Sequence, residues 1–354
     1  MRDRGVPPHC ARPASCPAAN AAPDPIEPNE TAMNRLRRLT CLFALALTAA
    51  ATPAAAQEIV LRAVTAFQPG TAFSKPFEAF VEKVNAEGKG LVRINLVGGP
   101  SAVPPFELGN AVSSGVVDIA NVTSAFYPTL LPEGEALKLA ERTIQEQRAN
   151  GAWALLNQLH NQRMNAWYLA RTGDGTPFHL YLNKPIDKAD LKGLTLRVTP
   201  IYRAFFEALG AKNVQTPPGE VYTSLERGVV DGYGWPIQGI LDLGWHEVTK
   251  MRVEPGFYQV DVNVLVNLDK WKSMREDQRA FLTRMAEWLE STNARNAELN
   301  KAEADRQAAA GIKTITLTGA ERDKWLQTAR DVGWAQVEKV APANAKRLRE
   351  LLAR

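Results

Sequence analysis

The sequence predicts an α/β fold of two similar lobes, each a mainly parallel sheet flanked by helices, hinged around a ligand cleft. Three observations lead there. Residues 104–118 read PPFELGNAVSSGVVD and residues 217–231 read PPGEVYTSLERGVVD, and seven of those fifteen positions are identical: both prolines, the glutamate, the glycine, both valines and the aspartate. Strand and helix patterns alternate through both halves, an order that favours parallel sheets. No low-complexity linker separates the halves, so several segments should cross between them, which suits hinge closure over a ligand. A single pair of copies, 113 residues apart, is too sparse for a solenoid, whose periods run about 20–50 residues.

The N-terminal region carries an export signature. From Met33 the chain reads MNRLRRLT, CLFALALTAAA and TPAAAQ: a basic stretch, an apolar run and an Ala54-Ala55-Ala56 cleavage site. Residues 33–56 are therefore expected to be a signal peptide. Residues 1–32, rich in Pro and Ala and holding Cys10 and Cys16, are expected to be a non-native upstream extension read from an early start codon. The apolar run is shorter than the roughly 20 residues of a membrane span. The third cysteine, Cys41, lies inside it, so a mature chain starting near Gln57 has no thiol for a disulfide. Removing the six Arg and four acidic residues of this region from whole-chain counts of 42 and 38 leaves 36 and 34, a net charge of +2. Nothing in that balance suggests nucleic acid.

The elements then follow in order. EIVLRAVTA, residues 58–66, reads as a strand, and QPGTAF as a loop ending at Ser74, a helix N-cap. In KPFEAFVEKVNAEG, Phe77, Phe80, Val81 and Val84 recur at helical spacing and Gly88 stops the helix. LVRINLVGGP alternates as a strand, the first Pro-Pro segment supplies a short helix ended by glycine, and VVDIANV is a buried strand starting at its valine pair. The loop after it carries Thr123, Ser124, Phe126 and Tyr127 at a strand's carboxyl end, where open α/β sheets place ligands. A helical region is expected over about 135–162, and NAWYLARTG is a strand leading to the second half. There FHLYLNKPI, LTLRV, a helix over 202–209, the second Pro-Pro segment and VVDGYGWP repeat the first half's order. FYQVDVNVLVNLDKW is a strand that can return the chain to the first lobe; a long amphipathic helix, the strand GIKTITLT and two more helical stretches end the chain.

LTLRV alternates apolar Leu194, Leu196 and Val198 with Thr195, Arg197 and Thr199, so Arg197 should face away from the apolar side. A guanidinium fixed on a strand end is a ready fork for a carboxylate. Taken alone, Arg197 reads as an ordinary surface arginine, Trp235 and Phe178 as core aromatics, and Asp118 and Asp231 as turn or cap residues. His160, His179 and His246 are widely spaced with no zinc pattern. The chain has no GxSxG elbow, phosphate-binding glycine loop or nucleophilic cysteine.

ELGNAVSSGVVDIANVTSAFY, DLKGLTLRV, PPGEVYTSLERGVVDGYGWP and the helix entered by MREDQRAFL together resemble the solute-binding proteins of tripartite ATP-independent periplasmic (TRAP) transporters, the DctP-like family. That resemblance covers nearly the whole mature chain. It implies a two-lobed periplasmic-binding-protein fold, with lobe one at 57–176 plus about 261–300 and lobe two at 177–260 plus about 301–354. It implies a monomeric periplasmic receptor that binds a small organic-acid carboxylate and delivers it to a membrane permease of one small and one large subunit. No catalysis, cofactor or metal is implied. The family arginine of the LKGxxxRV segment, which salt-bridges the ligand's carboxylate, falls on Arg197. Trp235, Phe178, Tyr127, Ser124, Phe126 and His179 are expected around it.

Where sialic-acid binders of this family carry a glutamate and an arginine, this chain has Thr123 and Phe126; their asparagine is Trp235, and a further arginine lies near Phe178. The glutamate that helps 2-oxoacid binders hold a cation is Gly234. The expected ligand is accordingly a monocarboxylate with an apolar or aromatic body. A periplasmic enzyme acting on a small acid, or a receptor signalling to a membrane kinase, are the alternative readings.

Overall fold

A computed structural model describes residues 57–354. The expected extension over 1–32 and signal peptide over 33–56, with all three cysteines, lie outside the described residues. Two mixed sheets flanked by helices form the molecule. The first sheet contains β1 (Ile59–Thr65), β2 (Val92–Gly98), β3 (Ile119–Val122), β4 (Ala166–Thr172) and β10 (Val262–Asn267), in the order β2-β1-β3-β10-β4. The second contains β5 (Phe178–Leu182), β6 (Thr195–Val198), β7 (Lys212–Gln215), β8 (Gly232–Pro236), β9 (Met251–Glu254) and β11 (Lys313–Thr316), in the order β11-β9-β5-β8-β6-β7.

The internal repeat is visible in this topology. β1 pairs in parallel with β2 and β3, and β6 pairs in parallel with β7 and β8. In each sheet the next neighbour is an antiparallel strand, β10 beside β3 and β5 beside β8. The duplicated Pro-Pro motif fills the same place in both, between β2 and β3 and between β7 and β8. Its terminal aspartates do one job twice. Asp118 Oδ2 accepts from the Arg62 amide at 2.8 Å while its own amide donates to Arg62 O; Asp231 Oδ2 accepts from the Thr195 amide at 2.9 Å while its amide donates to Thr195 O. Each pins the start of one strand to its parallel neighbour rather than capping a turn. Gly115 and Gly228 precede them in the left-handed region, at φ 78° and 66°, which glycine enters without a Cβ penalty. Only one valine of each pair enters the core: Val117 and Val230 are buried, whereas Val116 and Val229 are 63% and 55% exposed.

Helix 75–87 buries Phe77, Phe80, Val81 and Val84 against the first sheet, as its spacing requires. Ser74 does not cap it through its side chain, because its hydroxyl donates to Gln68 O at 2.8 Å within the preceding turn. The helical region expected over 135–162 is three pieces, at 132–139, 144–150 and 152–164, interrupted at Gly151 with φ 89°. The long amphipathic helix runs as 276–291 and 296–309 joined by one tighter turn. The final helix, Pro342–Leu352, returns to the segment 132–150: Leu352 O accepts from the Glu141 amide, and Leu351 O from Asn150 Nδ2.

The chain passes between the sheets three times: from β4 to β5, from β9 to β10, and from β10 through helix 276–309 to β11. A row of asparagines on the third crossing holds the first. Asn293 Nδ2 donates to Arg171 O and its Oδ1 accepts from the Gly173 amide, Asn296 Nδ2 donates to Asp174 O, and Asn300 Nδ2 donates to Gly175 O, at 2.8 to 3.1 Å. No helix among the described residues is long and apolar enough to cross a membrane.

Candidate functional site

The carboxyl ends of β1, β3, β6 and β8 converge, and the segments that leave them enclose two adjoining cavities. The larger, about 510 Å3, is a cleft within the usual size range for small-molecule sites. Both copies of the Pro-Pro motif line it, Pro104, Pro105 and Phe106 from the first lobe and Pro217, Pro218 and Glu220 from the second. The smaller, about 30 Å3, is walled by Phe67, Phe73, Thr123 and Phe126 on the first lobe, by Phe178, Thr199, Tyr202 and Trp235 on the second, and by Val260 and Asp261 on the β9 to β10 crossing. Phe67, Phe73 and Trp235 belong to both. The lobes touch here. The rings of Phe73 and Trp235 are 6.3 Å apart edge to face, and Asp242 Oδ2 accepts from the Ala72 amide at 2.9 Å.

Arg197 lies behind this shared wall, fully buried. β6 is flanked by β7 and β8, and helix 200–208 covers it, so the face that alternation sends away from the apolar side is interior as well. Nε and Nη2 both donate to Thr216 O, at 3.0 and 2.6 Å, and Nη1 donates to Tyr202 Oη at 3.0 Å. Three of the five guanidinium N–H groups are thus used on neutral oxygens. Among the described residues no carboxylate forms an ion pair with it. Burial pulls its pKa below the usual arginine value, because the opposing effects of Tyr202 and the unpaired, more distant Glu220 do not offset the loss of water. The guanidinium carbon is 5.9 Å from the centre of the Trp235 ring, whose face supplies a partial electrostatic partner.

Tyr202 ties this arrangement to Gly234. Its hydroxyl accepts from Arg197 and donates to Gly234 O at 2.7 Å, and its ring rests on the glycine. A Cβ at residue 234 would sit 2.7 Å from Tyr202 Cε2, too close for any side chain. A glutamate at 234 therefore has no room beside the Tyr202 ring. Among the described residues no cluster of three His, Cys, Asp or Glu is spaced to hold a metal. Gly234→Ala is expected to displace Tyr202, destabilise the fold by about 1–3 kcal/mol as overpacking does, and turn the Arg197 fork. Thermal unfolding and ligand calorimetry measure both, and an alanine variant with wild-type stability and affinity would contradict the close contact.

Asp261, 1% exposed, is the carboxylate of the smaller cavity. Its Oδ2 accepts from the Ser124 amide at 2.9 Å and from Asn263 Nδ2 at 2.8 Å, whereas Oδ1 has only the Thr123 hydroxyl at 3.5 Å. Burial pushes its pKa up to about 6, against the hydrogen bonds from Ser124 and Asn263 and the charge of Arg171. The folded chain therefore keeps a proton that the unfolded chain gives up between about pH 4 and 6, so this residue lowers stability as pH rises through that window. His160 acts oppositely. Burial depresses it to about 4, so its contribution is full above its unfolded value near 6.5 and is lost as pH falls toward 4. Asp261→Asn is expected to raise stability at pH 7 by on the order of 2 kcal/mol and to expose a steeper loss in acid. Urea unfolding at pH 4.5 and 7 checks this, and parallel wild-type and variant profiles would refute it.

The structure brings Phe126, Phe178 and Trp235 together around one cavity, Phe126 on the first lobe and the other two on the second, with Arg197 behind Trp235. It does not bring Tyr127, His179 or Ser124 to either cavity. The Tyr127 hydroxyl accepts from Asn263 Nδ2 at 2.9 Å and lies 3.2 Å from His160 Nε2, in the core. His179 Nε2 lies 3.1 Å from Glu254 Oε2. Ser124 serves the site by holding Asp261, chiefly through its amide; its buried hydroxyl makes no well-formed hydrogen bond but also favours the ionised carboxylate. Sequence reasoning missed Phe67, Phe73, Phe106, Tyr202 and Asp261. The rule that ligands gather at strand carboxyl ends, applied to 119–127, equally marks residues 66–73 after β1. A lone aspartate in the apolar run FYQVDVNV marks Asp261.

This geometry has relatives. The chain is 26% identical over 226 residues to the monocarboxylate 2-oxoacid-binding periplasmic protein of Nostoc sp.; the match covers 59% of this chain and 60% of that one. It is 24% identical over 257 residues to a solute-binding protein of Roseobacter denitrificans, covering 70% of this chain and 77% of that one. The matched stretch thus falls short of two thirds of the Nostoc protein's length. Among solved structures, the fold is similar to a TRAP periplasmic solute-binding protein from Desulfovibrio salexigens with bound orotic acid, at a TM-score of 0.75 and 23% identity over 83% of this chain and 97% of that one. It is similar also to DctP7, a Bordetella pertussis extracytoplasmic solute receptor binding pyroglutamic acid, at a TM-score of 0.75 and 17% identity over 84% and 100% of the chains. The sequence pattern of the DctP family matches residues 64–339, and the chain belongs to that family, the bacterial extracellular solute-binding proteins of family 7.

Proposed function

We propose that the chain is the periplasmic receptor of a TRAP transporter, a monomer that closes over one small organic-acid carboxylate and delivers it to a permease of one small and one large membrane subunit. The observation that carries this reading is Arg197: a buried guanidinium without an ion-pair partner, at the back of a cleft where two lobes meet. Such a group calls for an anion, and the fork geometry suits a carboxylate. The lobes would comprise 57–176 with about 261–300, and 177–260 with about 301–354. Arg197 takes the carboxylate, while Trp235, Phe178 and Phe126, with Phe67 and Phe73, enclose the ligand's body. Tyr127, Ser124 and His179 act at most from behind the wall.

The ligands named for several relatives, a 2-oxoacid, orotic acid and pyroglutamic acid, are small carboxylates, in keeping with this role, and the Roseobacter denitrificans relative is solved with L-galactonate, a sugar acid. The aromatic wall favours an apolar or aromatic monocarboxylate over a polyhydroxylated sugar acid. Aromatic faces stabilise an apolar body by burial, at about 25 cal/mol per Å2. Each hydroxyl buried there without a partner costs about 1–3 kcal/mol. A thermal-shift panel tests the reading, since a ligand at 100 times its dissociation constant adds about 2.7 kcal/mol of stability. Stabilisation by branched and aromatic monocarboxylates is the expected result. Stabilisation by sugar acids or C4 dicarboxylates alone would overturn the ligand class, and conversion of any bound acid into product would overturn the receptor role.

A further inference from the structure

We propose that Asp261 is the ligand's second polar anchor, and that the ligand is a carboxylic acid bearing an N–H or O–H donor on the part of its body remote from the carboxylate. The inference rests on the reading of Arg197 as the carboxylate fork and extends it to the opposite wall of the site. Arg197 belongs to the second lobe's sheet, whereas Asp261 stands on the β9 to β10 crossing beside Thr123 at the carboxyl end of β3. The small cavity between them is lined by Asp261 itself and by Tyr202, which holds Arg197.

Each of the two charges is buried, and neither forms an ion pair among the described residues. Buried charges are ordinarily paired. Here one unpaired cation lies behind the cavity's Tyr202 and Trp235 side and one unpaired anion stands on its opposite side, with aromatic rings between. The carboxylate is also only half satisfied. Oδ2 is committed to Ser124 and Asn263, while Oδ1 has one long contact at 3.5 Å and remains able to accept. An ionised carboxylate accepts only, so the group it calls for is a donor. Two more polar atoms of the cavity lining, Thr199 Oγ1 and Trp235 Nε1 on the second lobe, are buried without a protein partner. A ligand with an anionic end and a donating end satisfies both charges. An acid with a plain hydrocarbon body leaves Asp261 buried and unpaired when the lobes close.

Matched acids that differ only in the donor test this. Indole-5-carboxylate and benzofuran-5-carboxylate share shape and charge, but on the side of the ring system away from the carboxylate one presents N–H and the other a ring oxygen. Indole-6-carboxylate and benzofuran-6-carboxylate form a second pair. Calorimetry on the full mature chain at pH 7 is expected to favour the N–H member of at least one pair by about tenfold or more, the scale of discrimination when a site's buried polar group loses its partner. Asp261→Asn keeps an acceptor for the Ser124 amide and adds a donor, so it is expected to abolish that preference. Equal affinity of both members for the wild-type protein, lost in Arg197→Ala, would overturn the role of Asp261 while leaving the carboxylate fork standing. Binding that survives Arg197→Ala would overturn the carboxylate reading and this inference together. Should Asp261→Asn fail to fold, the preference measured on the wild-type protein alone decides.

Discussion

Replacing Arg197 by alanine is expected to lower affinity for a carboxylate ligand by at least about 2 kcal/mol, a factor of about 30, the low end for removing one partner of a buried charged pair. The loss should fall on binding rather than on folding. The guanidinium is desolvated, donates to Thr216 O and Tyr202 Oη, and among the described residues has no ion-paired carboxylate to offset its burial. Truncation removes that unfavourable charge while it opens a cavity, so the two effects oppose each other in stability. In binding nothing opposes the loss. Arg197→Lys should recover only part, because an ammonium cannot hold Thr216 O through two nitrogens and still present a planar fork. Calorimetry with circular dichroism on both variants checks this. Wild-type affinity in folded Arg197→Ala would move the carboxylate site elsewhere.

Why Arg197 was legible, and its burial was not, comes down to what periodicity encodes. LTLRV shows which residues share a face, but not whether the other face meets water. In a central strand covered by a helix both faces are interior. The same limit affected the valine pairs. PPxE and GVVD announced two equivalent units, yet only the three-dimensional pinning of Asp118 to Arg62 and Asp231 to Thr195 shows why the aspartate repeats. With those aspartates paired to a neighbouring strand, the preceding glycine turn leaves Val116 and Val229 in solvent.

The site was legible where a strand end alone decided it and obscure where the backbone changed period. Trp235 and Phe178 lie on regular strands that reach the cavity, so their positions follow from register. Ser124, Ala125 and Phe126 form a tight helical turn with three residues per turn, which sends consecutive side chains in different directions. Phe126 enters the cavity wall, while Tyr127 turns into the core toward His160 and Asn263. Phe67 and Phe73 were hidden for another reason. Their loop reads as a connection, and only its approach to Trp235 from the opposite lobe gives it a role.

Trp235 is where the largest combined effect is expected, because its indole is shared by both cavities and packs on Trp245 at 4.7 Å and on Phe73 at 6.3 Å. Trp235→Ala merges the two cavities. Its cost to folding should be about 3–5 kcal/mol, as for other large aromatics truncated in a core. Its cost to binding is separate. A ligand ring covering one indole face, roughly half of the ~200 Å2 a Trp side chain can bury, gains about 2.5 kcal/mol at about 25 cal/mol per Å2, and the alanine variant forfeits it. Trp235→Phe keeps a wall and an aromatic face toward Arg197 while removing the unpartnered Nε1–H. It should therefore retain most of the affinity for apolar acids and most of the stability. Denaturant unfolding and calorimetry on both variants, with an aromatic and an aliphatic carboxylate in parallel, separate the two costs. Larger losses for the aromatic acid place Trp235 against the ligand's body. Equal and small losses for both acids, alongside a large loss of stability, would reduce it to a core residue.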